Sequence, residues 1–169
     1  MNTVVNGWVR AAYVVAALTA GAAQGQDATY TVKLMTPETA LKAAQAALKQ
    51  CRDGGFQVAV AVVDRGGVTQ VVLRDRFAGP HTVAMAVDKA WTAVSFRTPT
   101  GDVAKETQPG SPQSGIRNRP RVAAVAGGLL IESGGALVGG IGVSGAPRGD
   151  SDDVCAQAGI DAIRDSLEF

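Results

Sequence analysis

Residues 56–63 constrain the fold more than any other stretch. With the two-residue period of a strand, Phe56, Val58, Val60 and Val62 fall on one face and Gln57, Ala59, Ala61 and Val63 on the other, so both faces are largely apolar. A strand apolar on both sides is central in its sheet and needs cover above and below. Asp64-Arg65-Gly66-Gly67 is a turn, and residues 68–74 return as a second strand, making a hairpin. Three further short apolar runs, 122–126, 129–133 and 136–143, are separated by Gly-Gly pairs and read as strands joined by tight turns. Gly139, Gly140 and Gly142 argue against the last of these, because glycine weakens a strand interior.

Helices supply the cover. Thr36-Pro37-Glu38 opens the first with a hydroxyl cap, a proline in the first turn and an acid at the positive end of the dipole. Leu41, Ala44, Leu48 and Cys51 then share one face, and Gly54-Gly55 stop the run. Val83, Val87, Ala90, Trp91 and Val94 mark a second amphipathic helix whose first turn holds the one histidine, His81. Residues 97–121 include four prolines, and a connection of that length in a small domain is usually functional or mobile; Thr100-Gly101-Asp102 caps a short helix within it. Ser151-Asp152-Asp153 caps a closing helix with Cys155, Ala158, Ala162 and Ile163 on one face. The pattern is an α/β domain of the α+β kind, a five-stranded antiparallel sheet flanked by helices.

At the N-terminus, Arg10 precedes a short apolar run and the small residues 19–23, the order of a secretory signal with cleavage after Ala22 or Ala23. The expected organisation is a cleavable signal peptide over 1–23 and a single domain over 24–169, periplasmic or secreted, with no integral membrane span after cleavage. Sixteen Lys and Arg face fifteen Asp and Glu, and losing Arg10 leaves the two counts equal. A formally neutral chain lacks the basic excess of a nucleic-acid-binding surface. Cys51 and Cys155 would enter an oxidising compartment, where an even count invites a disulfide, although two buried thiols also satisfy the pattern. Both lie on apolar faces of terminal helices that could pack side by side, and a disulfide between them is the expectation.

Chemistry-bearing motifs are few. Gly140-Ile141-Gly142-Val143-Ser144-Gly145 spells a dinucleotide fingerprint, but no helix opens directly at its end and no strand follows, so the context of that motif is missing. Asp150, Asp152 and Asp153 are accounted for as helix-start acids rather than cation ligands. A single histidine leaves no multi-histidine metal site, and nothing nominates a catalytic set. His81 and Met85, however, are both types that ligate haem iron, four residues apart on one helix face. Axial ligands approach from opposite faces, so only one of the two would serve one haem. The alternatives are a helix-start histidine bonding its loop and a methionine filling core.

The segments VAVAVVDRGG (58–67), RDRFAGPHTVAMAVDKAWTAVSFRTPT (74–100) and GGIGVSGAPRGDSDDVCAQAGI (139–160) together resemble the GlcG/HbpS family of haem-binding proteins, the same module as the C-terminal domain of PduO-type proteins. The resemblance runs in order from about Thr36 to the closing helix. It implies a profilin-like layered domain, a homo-oligomer, and binding of haem or a related tetrapyrrole as cofactor. By position it points to Pro80-His81-Thr82 and to Arg97-Thr98-Pro99-Thr100. His81 is then the expected ligand of haem iron and Thr100 a hydroxyl contact, with Met85 nearby. Arg76 and Arg97 are candidate partners of the propionates, since a guanidinium fork matches a carboxylate. The function expected is an exported haem binder that scavenges, buffers or senses haem, a binding module more than an enzyme. The alternatives are an enzyme degrading haem or acting on a small organic acid at the same pocket, and a ligand-free oligomeric interaction module.

Overall fold

The computed structural model describes residues 28–167, so the expected signal peptide lies outside the described residues. Met1–Thr31 and Val32–Phe169 form separate units, and every element among the described residues lies in the second. In chain order these are α1 (Pro37–Asp53), β1 (Ala59–Asp64), β2 (Thr69–Arg74), α2 (Thr82–Phe96), α3 (Thr100–Glu106), a 3-10 turn (Ser114–Asn118), β3 (Gly128–Ser133), β4 (Ala136–Ser144), α4 (Gly149–Asp161) and α5 (Arg164–Leu167). The sheet runs β2-β1-β4-β3 with every neighbour antiparallel.

The doubly apolar β1 is indeed central, and its two faces meet different layers. Val58, Val60 and Val62 pack into the main core with Ala43, Ala44 and Ala47 of α1 and Cys155 and Ala156 of α4. On the other face Ala59 and Ala61 meet Ala86 of α2, and Val63 meets Ala90 and Val94. The sheet therefore has α1 and α4 on one side and α2 on the other.

Local chemistry explains the boundaries. Thr36 Oγ1 accepts the Thr39 N–H at 3.3 Å and Pro37 occupies the first turn of α1. Arg97 closes α2 in a left-handed conformation (φ 51°), and Pro99 follows two residues later. Asp64 Oδ1 accepts the N–H groups of Gly66 (2.8 Å) and Val68 (3.0 Å), which shapes the β1–β2 turn. Gly134 and Gly135, both at positive φ (55° and 77°), join β3 to β4 with the twist a two-residue hairpin favours.

Four strands are present among the described residues, not five, because 122–126 is not a strand. Its backbone is taken up by side chains instead of a neighbouring ladder. Ala123 N–H donates to Thr92 Oγ1 at 2.9 Å, that hydroxyl donates to Arg121 O at 3.1 Å, and Gly127 N–H donates to Asp153 Oδ1 at 2.6 Å. Arg121 itself sits at φ 71°, which turns the chain before a strand could begin.

The glycines that argued against a strand at β4 have a packing role there. A methyl at Gly142 would strike the carbonyl oxygen of Ala86 and lie 2.6 Å from Ala90 N; at Gly140 it would meet Val94 Cγ1 at 2.7 Å, and at Gly128 Lys89 O at 2.5 Å. The backbone of α2 thus rests directly on β4 and β3, which only glycine permits. On the opposite side, Cys51 of α1 and Cys155 of α4 are joined by a disulfide, with Cα atoms 5.4 Å apart across a sequence separation of 104. A loop of that length is restrained by about 4–5 kcal/mol in the chain-entropy account. No helix among the described residues is long and apolar enough to cross a membrane.

Gly142→Ala should lower stability by about 3 kcal/mol or more, since the obstacle is helix backbone and not a movable side chain. Differential scanning calorimetry reads this as a fall in Tm of roughly 10 °C; an unchanged Tm would show that α2 can lift off the sheet freely.

Candidate functional site

The start of α2 is wound by local bonds that turn His81 outward. The Thr82 hydroxyl and N–H both donate to Gly79 O, at 2.7 and 3.0 Å, and Met85 N–H donates to His81 O at 3.1 Å. His81 occupies the N-cap position but makes no side-chain cap bond, and its ring is exposed, resting over Gly79. One turn on, Met85 is 36% exposed. Both line a cleft of about 330 Å³, together with Lys89, Val125, Asp152 and the chain from Ser144 to Pro147. This brings the loop after β4 against the start of α2.

The floor of this cleft is a buried ion pair. Lys89 and Asp152 are both almost fully buried, with Lys89 Nζ 2.8 Å from Asp152 Oδ2 and donating also to Val143 O at 2.8 Å. Asp152 Oδ1 accepts the Ala146 N–H at 3.0 Å. The two acids expected to cap α4 therefore reach away from it: Asp152 into this pair, Asp153 to Gly127 N–H. The helix begins earlier, at Gly149, with Arg148 at its N-cap position. Burial raises the pKa of Asp152, opposed by the Lys89 ammonium and the Ala146 and Gly145 N–H groups. Burial likewise raises Asp153, opposed chiefly by the Gly127 N–H.

A larger cleft of about 680 Å³ adjoins the first and shares Val125 and Gly149 with it. Lys105, Arg117 and Arg148 line it, alongside Asp102, Asp150 and Asp153. Lys105 pairs with Asp102 at 2.7 Å and Arg148 with Asp150. Arg117 donates to the carbonyls of Thr107 and Ala104, both at 2.5 Å. These exposed pairs hold their charges weakly, leaving cations that can turn to an anionic ligand.

The residues singled out from the sequence are thus distributed unevenly. His81 and Met85 share one cleft. Thr100 is fully buried, its hydroxyl accepting from Gly128 N at 2.8 Å and donating to Gly128 O at 3.4 Å, a bond that seats the start of β3. Arg97 is exposed at the end of α2, and Arg76 lines a different cleft with Asp75 and Phe77. The cations beside the His81 cleft are Arg148, Arg117 and Lys105, which the sequence reading missed. Lys89 was legible in principle, since it adjoins Ala90 on the apolar face of α2 and a lysine buried there demands a partner. No group of three or more metal-ligating His, Cys, Asp or Glu side chains occurs among the described residues.

Comparison with known proteins points one way. The profile of the HbpS-like family, described as haem degrading proteins, matches residues 35–161. Corrinoid adenosyltransferase PduO of Salmonella typhimurium is 32% identical over 121 residues, 70% of this chain; the chain spans only 36% of that protein's length. A crystal structure of Streptomyces reticuli HbpS, a double mutant, superposes with a TM-score of 0.76 at 39% identity, over 91% of this chain and 99% of that one. A PduOC–heme complex superposes with a TM-score of 0.74 at 29% identity, over 78% of this chain and 96% of that one.

Two outcomes test the electrostatics. Lys89→Met leaves Asp152 buried and uncompensated and should cost about 3–5 kcal/mol, whereas adding Asp152→Asn should restore at least half of the loss in urea unfolding. If the double variant is no better than the single one, the pair is not the source of the cost. Asp153 binds a proton more tightly folded than unfolded, so its contribution to stability is present below its ordinary value of 3.8 and is lost as pH rises through the higher folded value. Asp153→Asn keeps an acceptor for Gly127 and should flatten that loss in Tm measured from pH 4 to pH 8; an equal drop at every pH would overturn it.

Proposed function

The chain belongs to the HbpS-like family of haem degrading proteins, and from that membership we propose that it binds haem with His81 as the axial ligand to iron. One observation carries the reading. The chain's one histidine is exposed, makes no cap hydrogen bond, and faces the same cleft as Met85, the other haem-ligating type on that helix. A neutral imidazole with a free ring nitrogen is the group that iron takes up. The adjoining cleft supports the remainder of the reading, since Val125 offers apolar surface between the two and Arg148 and Lys105, held only in exposed ion pairs, offer donors to carboxylates. Bound haem would supply the iron centre and its redox chemistry; the protein's part is to hold and orient it through these side chains. That a structural neighbour was solved as a heme complex supports the same ligand class.

The remaining elements of the proposal are export, self-association and a scavenging, buffering or sensing role. The signal-like order of residues 1–23 supports export, and the Cys51–Cys155 disulfide suits an oxidising compartment. The description of the matching family favours one alternative, oxidative breakdown of haem at the same cleft.

Titration of haem into the purified protein should give a saturable Soret shift with about micromolar affinity or better. His81→Ala should move the Soret maximum and weaken binding roughly tenfold or more, while Met85→Ala changes the spectrum only where sulfur supplies the second ligand. An unchanged spectrum and affinity in His81→Ala would remove the histidine from the site. Loss of the Soret band on adding reductant and oxygen would select breakdown over storage.

A further inference from the structure

Asp75, directly after β2, is 3% exposed, and its two oxygens have very different surroundings. Oδ1 accepts Arg52 Nε at 2.6 Å and pairs with a second nitrogen of the same guanidinium. Oδ2 is closed off from solvent and has no hydrogen-bond partner among the described residues. A buried carboxylate oxygen left unpaired keeps the full desolvation penalty of a charged group, so such an atom calls for an explanation. Asp75 lines a cleft of about 420 Å³ with Arg52, Gln57, Arg76 and Phe77, within the size range of small-molecule sites.

The charges of this cleft specify what would complement it. Arg52 and Asp75 offset each other, but Arg76 is in no ion pair among the described residues; its guanidinium carbon lies 5.9 Å from the centroid of the Phe77 ring. Phe77 is 79% exposed, an apolar ring at the rim of a polar cleft. A matching molecule brings a hydrogen donor to Asp75 Oδ2, an anionic acceptor to Arg76 and apolar surface to Phe77. We propose that this cleft binds a zwitterionic α-amino acid with an aromatic or apolar side chain. Its ammonium, a donor with three N–H groups, would bond Asp75. Its carboxylate would take the fork of Arg76, and its side chain would rest on Phe77. Asp75 itself lines the cleft and Arg76 and Phe77 are exposed at its rim; admitting the molecule requires a side-chain movement that uncovers Oδ2.

The test is titration of the purified protein with L-phenylalanine followed by amide NMR shifts, with acetate and ethylamine as probes carrying one function each. The expected result is saturable shifts confined to residues 52–58 and 75–77, with both single-function probes and the variants Arg76→Ala and Asp75→Asn binding roughly tenfold more weakly or worse. Arg76→Ala carries the test if Asp75→Asn perturbs the fold through Arg52. Phe77→Ala should bind phenylalanine roughly tenfold more weakly yet leave the Soret titration with haem as in the parent, which separates this site from the haem proposal. No saturable shift at millimolar phenylalanine would overturn the assignment. So would acetate binding as tightly as phenylalanine, or full binding by Arg76→Ala.

Discussion

The contact on which the architecture depends is backbone against backbone, between α2 and the strands beneath it. Gly142, Gly140 and Gly128 present no side chain to the helix, and Ala59, Ala61, Ala86 and Ala90 add only methyls. Helix and sheet therefore meet more closely than branched side chains would allow. Dispersion grows with that closeness, but so does intolerance of any added carbon. The opposite face of the sheet is built differently. Valines and isoleucines of β1, β3 and β4 interlock with the small face of α1 and with α4, and the disulfide ties those two helices together.

Because α2 is held so close, Lys89 can pass into the layer beneath and reach Val143 O at the end of β4 and Asp152 on α4. A pair this deep is not chiefly a source of stability, since the desolvation of both ions offsets much of their attraction. Its effect is geometric. One ammonium and one carboxylate connect the middle of α2, the last residues of β4, the Ala146 amide and the first turn of α4, and so set the loop 145–149 against the start of α2. The cleft containing His81 is the space between those two segments. The side chains with ligand chemistry stand on a helix whose position is set by glycine packing and a buried charge pair, which is the rigid support a binding site requires.

Much of this was open to reading from the residues. The two-sided β1, the hairpin with β2, both long early helices and the closing helix follow from periodicity and capping chemistry, which act over a few neighbouring residues. The segment 122–126 misled because an apolar run of five carries no record of whether its backbone will find a strand or the hydroxyl of Thr92 and the carboxylate of Asp153. The glycines of β4 misled in the other direction, since their effect on strand propensity is local and their value lies in a helix more than 40 residues earlier.

What the sequence determined by itself was the helices, four of the five expected strands, the sidedness of β1 and the residue types capable of holding haem iron, because alternation, caps and coordination chemistry belong to single side chains and their near neighbours. Tertiary structure alone decided which of those side chains share a cleft. His81 and Met85 face one cavity, Thr100 is spent on Gly128, and Arg76 stands beside Asp75 in another cleft, while Arg148, Arg117 and Lys105 flank the histidine's cleft. Those groupings depend on how α2, α4 and the connecting loops pack on the sheet. Packing is a sum over contacts distant in sequence, so no short pattern along the chain encodes it.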